Sequence, residues 1–309
     1  MELGPAEFQR HLEELRPRIG RYRFLLALLR FRCRQAGRFP ERLHRLLLRF
    51  LDARRPYFVG VTADGTKYLG DFRDISSLVW QVEENHDDAL LRFLKEGAAR
   101  RGGAYIDIGA NIGVLAASVA RSLAGRGEVV AIEAIAETAR RAAATFALNG
   151  LTNIRLLPVA LGEADCEIRM FQTGGHSTWN SAYCWDRLDS ASLTESSVPC
   201  RALDSLLRQG TICSAGLVKI DVEGHELKVL QGAREFLARL QPAILFEFNR
   251  MIAPKAGWKA TDASDLIGSA GAYRFQVFHG DGTLTAFPEP SQNEEYINVY
   301  CEPPPGRQL

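Results

Sequence analysis

Long apolar runs are missing from this sequence of 309 residues. The most apolar early run, residues 24–29, ends after six residues at Arg30, whereas a membrane-spanning helix needs about twenty. A secretory signal peptide needs a longer apolar stretch and a cleavage site with small residues. The sequence therefore predicts no transmembrane segment and no signal peptide, and it favours a cytoplasmic protein.

Paired cysteines are also missing. None of the six cysteines forms a Cys-x-x-Cys pair, and none lies near histidine at the spacing of zinc ligands. Scattered single cysteines are typical of a reducing compartment rather than of a secreted disulfide framework. This pattern agrees with the cytoplasmic expectation.

Net charge is nearly absent, since 38 lysines and arginines face 37 acidic residues. A whole-molecule basic excess for nucleic acid is therefore missing, and no nucleic acid partner is expected. The charge is uneven, because residues 1–55 contain fourteen Arg but only six Asp or Glu. Such a basic arm attracts an acidic lipid surface, an acidic partner or phosphate, while the alternative is a solvated helical face. Peripheral membrane contact through residues 1–55 is thus one of two open interpretations.

Three regions of the chain differ in pattern. Residues 1–55 space their leucines as helices do, which predicts a basic N-terminal helical extension. Residues 56–100 contain a hairpin signal around Asp64-Gly65, followed by a helical pattern that leads into the core. Residues 101–309 alternate strands with helices and are expected to form the catalytic domain.

This alternation predicts an α/β fold with a doubly wound, mostly parallel sheet that is covered by helices on both faces. Strands are expected at 104–108, 128–132, 154–161, 218–220 and 243–248, and helices at 114–123, 136–148 and 225–240. Residues 165–205 instead show short strands and loops, which indicates a β-rich insertion.

The strongest motif, Asp107-Ile108-Gly109-Ala110-Asn111-Ile112-Gly113, connects a predicted strand to a predicted helix. Small residues let the backbone approach a ligand, and the helix N-terminus presents free N–H groups. A dinucleotide-binding turn normally reads G-x-G-x-x-G. Asp107 stands here instead of the first glycine, which repels a pyrophosphate but suits the ammonium of an amino-acid ligand. The motif favours S-adenosylmethionine, and the alternative is a tight turn whose glycines serve geometry alone.

Glu133 supports this interpretation, because it ends the second predicted strand 26 residues after Asp107. An acid at that position of a doubly wound sheet accepts hydrogen bonds from ribose hydroxyls. S-adenosylmethionine carries a ribose and an ammonium but no phosphate, so both residues fit it.

A second motif, residues 219–226, follows the fourth predicted strand of the sheet. Asp221, Glu223 and His225 are expected to face the crevice at the carboxyl ends of the strands, where one of them could remove a proton from a substrate hydroxyl. The alternative is that the two acids cap the next helix. Glu247, in an apolar strand, could join Asp221 and Glu223 around a divalent cation or bond to backbone. We assign no metal residue from the sequence.

Four segments of the sequence resemble the FkbM family of methyltransferases. They are residues 105–113, 198–207, 218–224 and the Leu-Gln-Gly-Ala of 230–233. The resemblance covers about residues 85–300. It implies the class I methyltransferase fold, with a seven-stranded Rossmann-like sheet, and O-methylation of a sugar, glycan or natural product.

The resemblance also implies roles for individual residues. The methionine and ribose end of S-adenosylmethionine would contact Asp107, Gly109, Asn111 and Gly113. Glu133 would hold the ribose hydroxyls, and Ala134 stands where the family often has proline. Ala160 and Leu161 would lie near the adenine, while Asp221 and Glu223 would face the substrate.

We expect in-line methyl transfer to a hydroxyl of a small-molecule, sugar or natural-product acceptor, with Asp221 as the first choice of base and Glu223 or His225 as alternatives. The insertion and the N-terminal region are expected to roof the acceptor site. The aromatic side chains of Trp179, Tyr183 and Trp185 could stack on the acceptor. N-methylation of a peptide or protein, or a non-catalytic binding module, stays open as an alternative.

Overall fold

The computed structural model describes residues 2–36, 40–82, 88–173, 175–183, 193–287 and 296–304. The helices are α1 Pro5–Leu15, α2 Arg23–Ala36, α3 Glu41–Leu47, α4 Ile75–Val82, α5 Asp88–Arg101, α6 Val114–Leu123, α7 Ala136–Leu148, α8 Leu203–Arg208, α9 Glu226–Gln231, α10 Arg234–Leu240 and α11 Ala260–Ala270. The strands are β1 Tyr57–Val61, β2 Lys67–Asp71, β3 Tyr105–Ile108, β4 Val129–Ile132, β5 Ile154–Leu157, β6 Ala160–Leu161, β7 Cys166–Thr173, β8 Leu193–Arg201, β9 Leu217–Ile220, β10 Ala243–Asn249, β11 Arg274–Phe278, β12 Leu284–Ala286 and β13 Tyr296–Glu302.

The central sheet has the strand order β12-β11-β13-β10-β9-β3-β4-β5. Strands β10, β9, β3, β4 and β5 run parallel to one another. Beyond β10, the strands β13, β11 and β12 follow, and each pairs antiparallel with the strand before it. Every residue of β3, β4 and β9 is buried, because helices cover both faces of the sheet. The predicted doubly wound α/β fold is thereby confirmed. The described residues contain eight strands in this sheet rather than the expected seven, since the short β12 pairs with β11 at the edge.

The third predicted strand, 154–161, is wrong in its extent. It ends at Leu157, and Pro158, which has no N–H to donate, separates it from β6. Strand β6 pairs with β8 in a second sheet of order β6-β8-β7. The β-rich insertion is therefore this second sheet, whose antiparallel pair joins Cys166–Thr173 to Leu193–Arg201.

The predicted helix over 225–240 is wrong as a single element, because it is divided into α9 and α10. Helix α9 ends just before Gly232, where an added Cβ would lie 2.0 Å from the carbonyl oxygen of Gly162, so no larger residue fits at this position. The carboxylate of Asp204 then accepts the N–H groups of Glu235 and Phe236 at 3.1 and 2.7 Å. This side chain from α8 caps the start of α10.

The predicted hairpin is confirmed as β1 and β2, which pair from Tyr57↔Asp71 to Val61↔Lys67. Its turn is fixed to the core through Asp64, whose carboxylate contacts Lys95 and Ser118. The hairpin therefore forms part of the packed structure that surrounds the sheet.

The N-terminal helices pack on two different parts of the core. Helix α1 lies against α7, where the rings of Phe8 and Phe146 meet edge to face at 5.2 Å. Helices α2 and α3 cover the hairpin through Leu29 and Leu47. In the part of the chain that the structure describes, no helix has the length and apolar character needed to cross a bilayer. The division into residues 1–55, 56–100 and 101–309 stays a prediction.

Candidate active site

A cavity of about 400 Å³ lies at the carboxyl ends of β3, β4 and β9, where ligands bind in doubly wound folds. Ten of the eleven predicted site residues line it: Asp107, Gly109, Asn111, Glu133, Ala134, Ala160, Leu161, Asp221, Glu223 and His225. Gly113 is not among the lining residues. The sequence motifs therefore converge on one cavity.

Both glycines of the first motif, Gly109 and Gly113, are required by packing. Gly109 has a φ of +83°, and a Cβ there would lie 1.8 Å from the carbonyl oxygen of Asp221. Gly113 has a φ of +79°, and its Cβ would lie 2.6 Å from the ring of Phe146. Left-handed backbone and close approach both demand glycine. Packing geometry alone therefore accounts for both glycines. The polar side chains of the turn that line the cavity are Asp107 and Asn111.

Glu133 is fixed by the backbone on both of its oxygens. One oxygen accepts the N–H of Asn111 and the other accepts the N–H of Ile135, both at 2.9 Å. Burial raises the pKa of Glu133 to about 7, although these hydrogen bonds favour the charged form. Each carboxylate oxygen has a second lone pair, so the side chain can still accept hydrogen bonds from ligand hydroxyls.

Asp107 is the most deeply buried acid of the cavity, with 1% of its surface exposed. Neither of its carboxylate oxygens makes a well-formed hydrogen bond to any residue that the structure describes. Burial raises the pKa of Asp107 to about 6, although the nearby charge of Lys219 lowers it. Buried acceptors without partners are costly, so a cationic N–H donor of a ligand would stabilise this side chain.

Lys219 belongs to the second motif, but sequence analysis assigns it no function. Its ammonium lies 2.8 Å from a carboxylate oxygen of Asp221, inside the protein. Burial lowers the pKa of this lysine, yet Asp221 and Asp107 together raise it above its usual value. The two-residue spacing of Lys219 and Asp221 could have predicted this pair, because residues two apart on a strand point to the same face.

Glu223 lies in a left-handed backbone conformation, with a φ of +52°. The carboxylate of Glu226 holds this loop by accepting the N–H groups of Val222 and Gly224 at 3.0 and 3.1 Å. Ser181 donates its hydroxyl to the carbonyl of Glu223 at 2.7 Å. A non-glycine residue keeps such a conformation only where its surroundings enforce it, and here they present the Glu223 side chain to the cavity.

The carboxylates of Asp221, Glu223 and Glu247 come within 4.8 Å of one another. Burial raises the pKa of Glu223 well above its usual range, and the charges of Asp221 and Glu247 add to this effect. The expected proximity of Glu247 to the two motif acids is therefore present. The divalent-cation alternative stays a prediction. The positively charged ammonium of Lys219 lies next to this cluster, 2.8 Å from Asp221.

His225 lies at the edge of the cavity as the residue before α9. Burial lowers the pKa of His225 to about 4, so its imidazole is neutral at neutral pH. The ring of Tyr183 lies against it, with centroids 5.8 Å apart.

The insertion covers one side of the cavity, as expected. Ser177 donates its hydroxyl to the side-chain oxygen of Asn111 at 3.1 Å, and its N–H donates to Asp74 at 3.0 Å. The rings of His176 and Trp179 stack at 4.0 Å and both line the cavity.

Two expectations about this roof need correction. The described part of residues 1–55 contributes no lining residue, and α4 contributes Ile75, Ser76, Val79 and Trp80 instead. Among the aromatic candidates, Trp179 lines the cavity, while Tyr183 packs beside His225 outside the lining. Trp185 lies outside the described residues.

Comparisons with known proteins identify the type of domain. A family model described as the methyltransferase FkbM domain matches residues 107–303. No curated protein matches the chain. The chain is similar in structure to the methyltransferase FkbM from Methylobacillus flagellatus KT, with 19% identity, a TM-score of 0.40, and 64% of this chain and 43% of that chain covered. It therefore spans less than half the length of that protein.

A second similar structure is a SAM-dependent methyltransferase from Agrobacterium tumefaciens, with 12% identity and a TM-score of 0.45. That match covers 81% of this chain and 70% of that chain. The domain match includes more than half of the sequence and both motifs of the cavity. This chain belongs to the FkbM family of methyltransferases.

Proposed function

We propose that this protein transfers a methyl group from S-adenosylmethionine to a hydroxyl oxygen of a small molecule, sugar, glycan or natural product. The observation that carries the proposal is the pair of buried acids, Asp107 and Glu133, at the ends of adjacent parallel strands in one cavity. One acid lacks hydrogen-bond partners among the described residues and the other has spare acceptor capacity.

The residues of the cavity fit this donor. Asp107 would accept hydrogen bonds from the ammonium, and Glu133 would accept them from the ribose hydroxyls. The apolar Ala160 and Leu161 would contact the adenine on the far side of β4. When bound, S-adenosylmethionine supplies a methyl group on a positively charged sulfonium.

The chain contributes position, exclusion of water and a base. Holding acceptor and donor in line accounts for much of the rate of a displacement reaction. The roof of His176, Ser177 and Trp179 covers the cavity, and the stacked rings offer an apolar face to an acceptor.

Glu223 is the base that the geometry supports best. Asp221 already has a charged partner, because its carboxylate accepts a hydrogen bond from the Lys219 ammonium at 2.8 Å. The low pKa of His225, about 4, makes that imidazole a weak base. Burial and the charges of Asp221 and Glu247 raise the pKa of Glu223, so it binds a proton more readily than an ordinary carboxylate. Asp221 and Lys219 would instead fix the loop and balance its charge.

The experiment is a methyl-transfer assay with labelled S-adenosylmethionine against matched panels of hydroxyl and amine acceptors. We expect labelled ethers from hydroxyl compounds and a large loss of turnover in Glu223→Gln. Transfer only to amines would overturn the oxygen acceptor. Donor binding without transfer to either panel would instead support a binding module.

A further inference from the structure

The surface of α2 that faces away from the core is apolar. Phe24 is 78% exposed and Phe31 is 57% exposed. With 3.6 residues per turn, the exposed Phe24, Ala27 and Phe31 lie within an arc of about 60°. The half-buried Leu28 lies between this arc and the side of the helix that packs on the core. The opposite side of the helix is already buried through Leu29 and Cys33. Helix α2 is thus apolar on two sides, and the core covers only one of them.

Arginines flank this exposed stripe. The same helical geometry places Arg23 and Arg34 on one side of the stripe and Arg32 on the other, and all three are exposed. Arg30 donates to the carbonyl of Gln81 at 2.9 and 2.7 Å, which fixes α2 on α4 with the stripe facing outward. An exposed apolar patch with a polar rim marks an interaction surface.

The neighbouring elements continue the same character. Leu46 and Phe50, which follow α2 in the chain, are 49% and 71% exposed. Val59 and Val61 on β1 are 39% and 47% exposed. The described residues of 16–55 contain twelve exposed arginines and only two acids, Glu41 and Asp52. The region therefore combines uncovered apolar side chains with a strong positive charge.

We propose that α2 and the adjoining α3 region dock on the surface of an anionic lipid bilayer, with Phe24 and Phe31 inserted between the headgroups. The positive charge is complementary to acidic lipids, and apolar side chains on a basic helix enter the headgroup region. A second copy of this chain would bring the same positive charge and would be repelled. The aliphatic members Leu46, Val59 and Val61 have no ring with which to stack on nucleobases, which favours lipid over single-stranded nucleic acid.

The test is flotation of the full chain with phosphatidylcholine vesicles, with and without phosphatidylglycerol. We expect the anionic vesicles to bind at least about tenfold more protein, and binding to fall as salt rises. The variant F24S/F31S should lose about tenfold in affinity, and R23Q/R32Q should lose affinity and part of the salt dependence. Met251→Ser, at a residue that is 42% exposed, and Arg126→Gln, at an exposed arginine, are the matched controls and should bind as the wild type does.

Equal binding to both kinds of vesicle, or unchanged binding of F24S/F31S, would overturn the proposal. Displacement of the protein from vesicles by single-stranded RNA, with tighter binding to the RNA, would assign the surface to nucleic acid instead. Titration of each variant with S-adenosylmethionine separates this proposal from the enzymatic one, because the substituted residues lie outside the cavity lining.

Discussion

The carboxylate of Glu133 accepts the backbone N–H of Asn111 at 2.9 Å. This bond joins the acid that ends β4 to the turn that follows β3, although the two residues are 22 positions apart in the chain. Asn111 has a φ of +52° and is thereby held in a conformation that few non-glycine residues adopt. Glu133 thus shapes the turn after β3 as well as lining the cavity.

We expect Glu133→Ala to weaken the binding of S-adenosylmethionine by at least about tenfold, because it removes the ribose acceptor and the bond to Asn111 together. Isothermal titration calorimetry measures the change. Glu128→Ala is the matched control, since Glu128 lies just before the same strand and forms an ion pair with Arg155. Equal affinities of the two variants would contradict the role of Glu133.

The affinity for S-adenosylmethionine should depend on pH through Asp107. The pKa of Asp107 is raised to about 6 by burial, so the acid is neutral at lower pH and cannot pair with an ammonium. The affinity should therefore rise from about pH 5 to pH 7, a range in which the ammonium of the ligand stays charged. Glu133, with a pKa of about 7, acts in the same direction.

Calorimetry over this pH range checks the prediction, with Asp107→Asn as the comparison. The variant should bind more weakly and lose the part of the pH dependence that Asp107 provides near pH 6, while the part that Glu133 provides near pH 7 is kept. A wild-type affinity that falls between pH 5 and pH 7 would contradict the assignment of Asp107.

Glu226 should act as a positioning residue for Glu223. In Glu226→Gln, the amide oxygen can still accept the N–H groups of Val222 and Gly224, since one oxygen makes both bonds. Turnover should therefore be largely kept in Glu226→Gln and lost in Glu226→Ala, with donor affinity unchanged in both. Full turnover of Glu226→Ala would show that the loop does not depend on this carboxylate.

The same residue gives a stability prediction. Burial raises the pKa of Glu226 to about 7. The folded state thus binds this proton more tightly than the unfolded state, and the stability it provides is lost as pH rises from about 4.5 to 7. Urea unfolding should show a smaller decline of stability over that range in Glu226→Gln than in the wild type. An equal or larger decline would contradict the buried, raised pKa.

Gly109→Ala should be strongly destabilising, because its Cβ would lie 1.8 Å from the carbonyl oxygen of Asp221. We expect a loss of about 3 kcal/mol or more in the free energy of unfolding. Gly125→Ala is the control, since Gly125 has a similar φ of +76° but no atom within 4 Å of the added Cβ. It should cost only about 1 kcal/mol, from backbone strain alone. Similar losses in both variants would show that the approach of β9 to the turn is not decisive.

Most of the fold could be predicted from local patterns in the sequence. The alternation of apolar strands and amphipathic helices predicted the parallel strands, and the Asp64-Gly65 turn predicted the hairpin. Two errors arose from contacts between distant residues. Pairing of Ala160 with Cys200 places β6 in the second sheet, and Asp204 divides the helix after Glu223 into two.

The candidate site was predictable to a similar degree. Motifs at the carboxyl ends of parallel strands predicted the lining acids, because such strands present these ends at one edge of the sheet. The resemblance to the FkbM family added Ala134, Ala160 and Leu161, which also line the cavity. The packing role of Gly113 depends on Phe146, which is 33 positions away in the chain. The hydrogen bonds from the loop of Glu223 to the carboxylate of Glu226 depend on backbone geometry. Neither relationship leaves a periodic signal in the sequence.

The most direct test of the central claim is titration of the wild-type protein with S-adenosylmethionine, S-adenosylhomocysteine and NAD. We expect both adenosyl amino acids to bind with dissociation constants in the micromolar range, and NAD not to bind, because Asp107 repels a pyrophosphate. Binding of NAD, or of none of the three, would contradict the assignment of this cavity to a methyl donor.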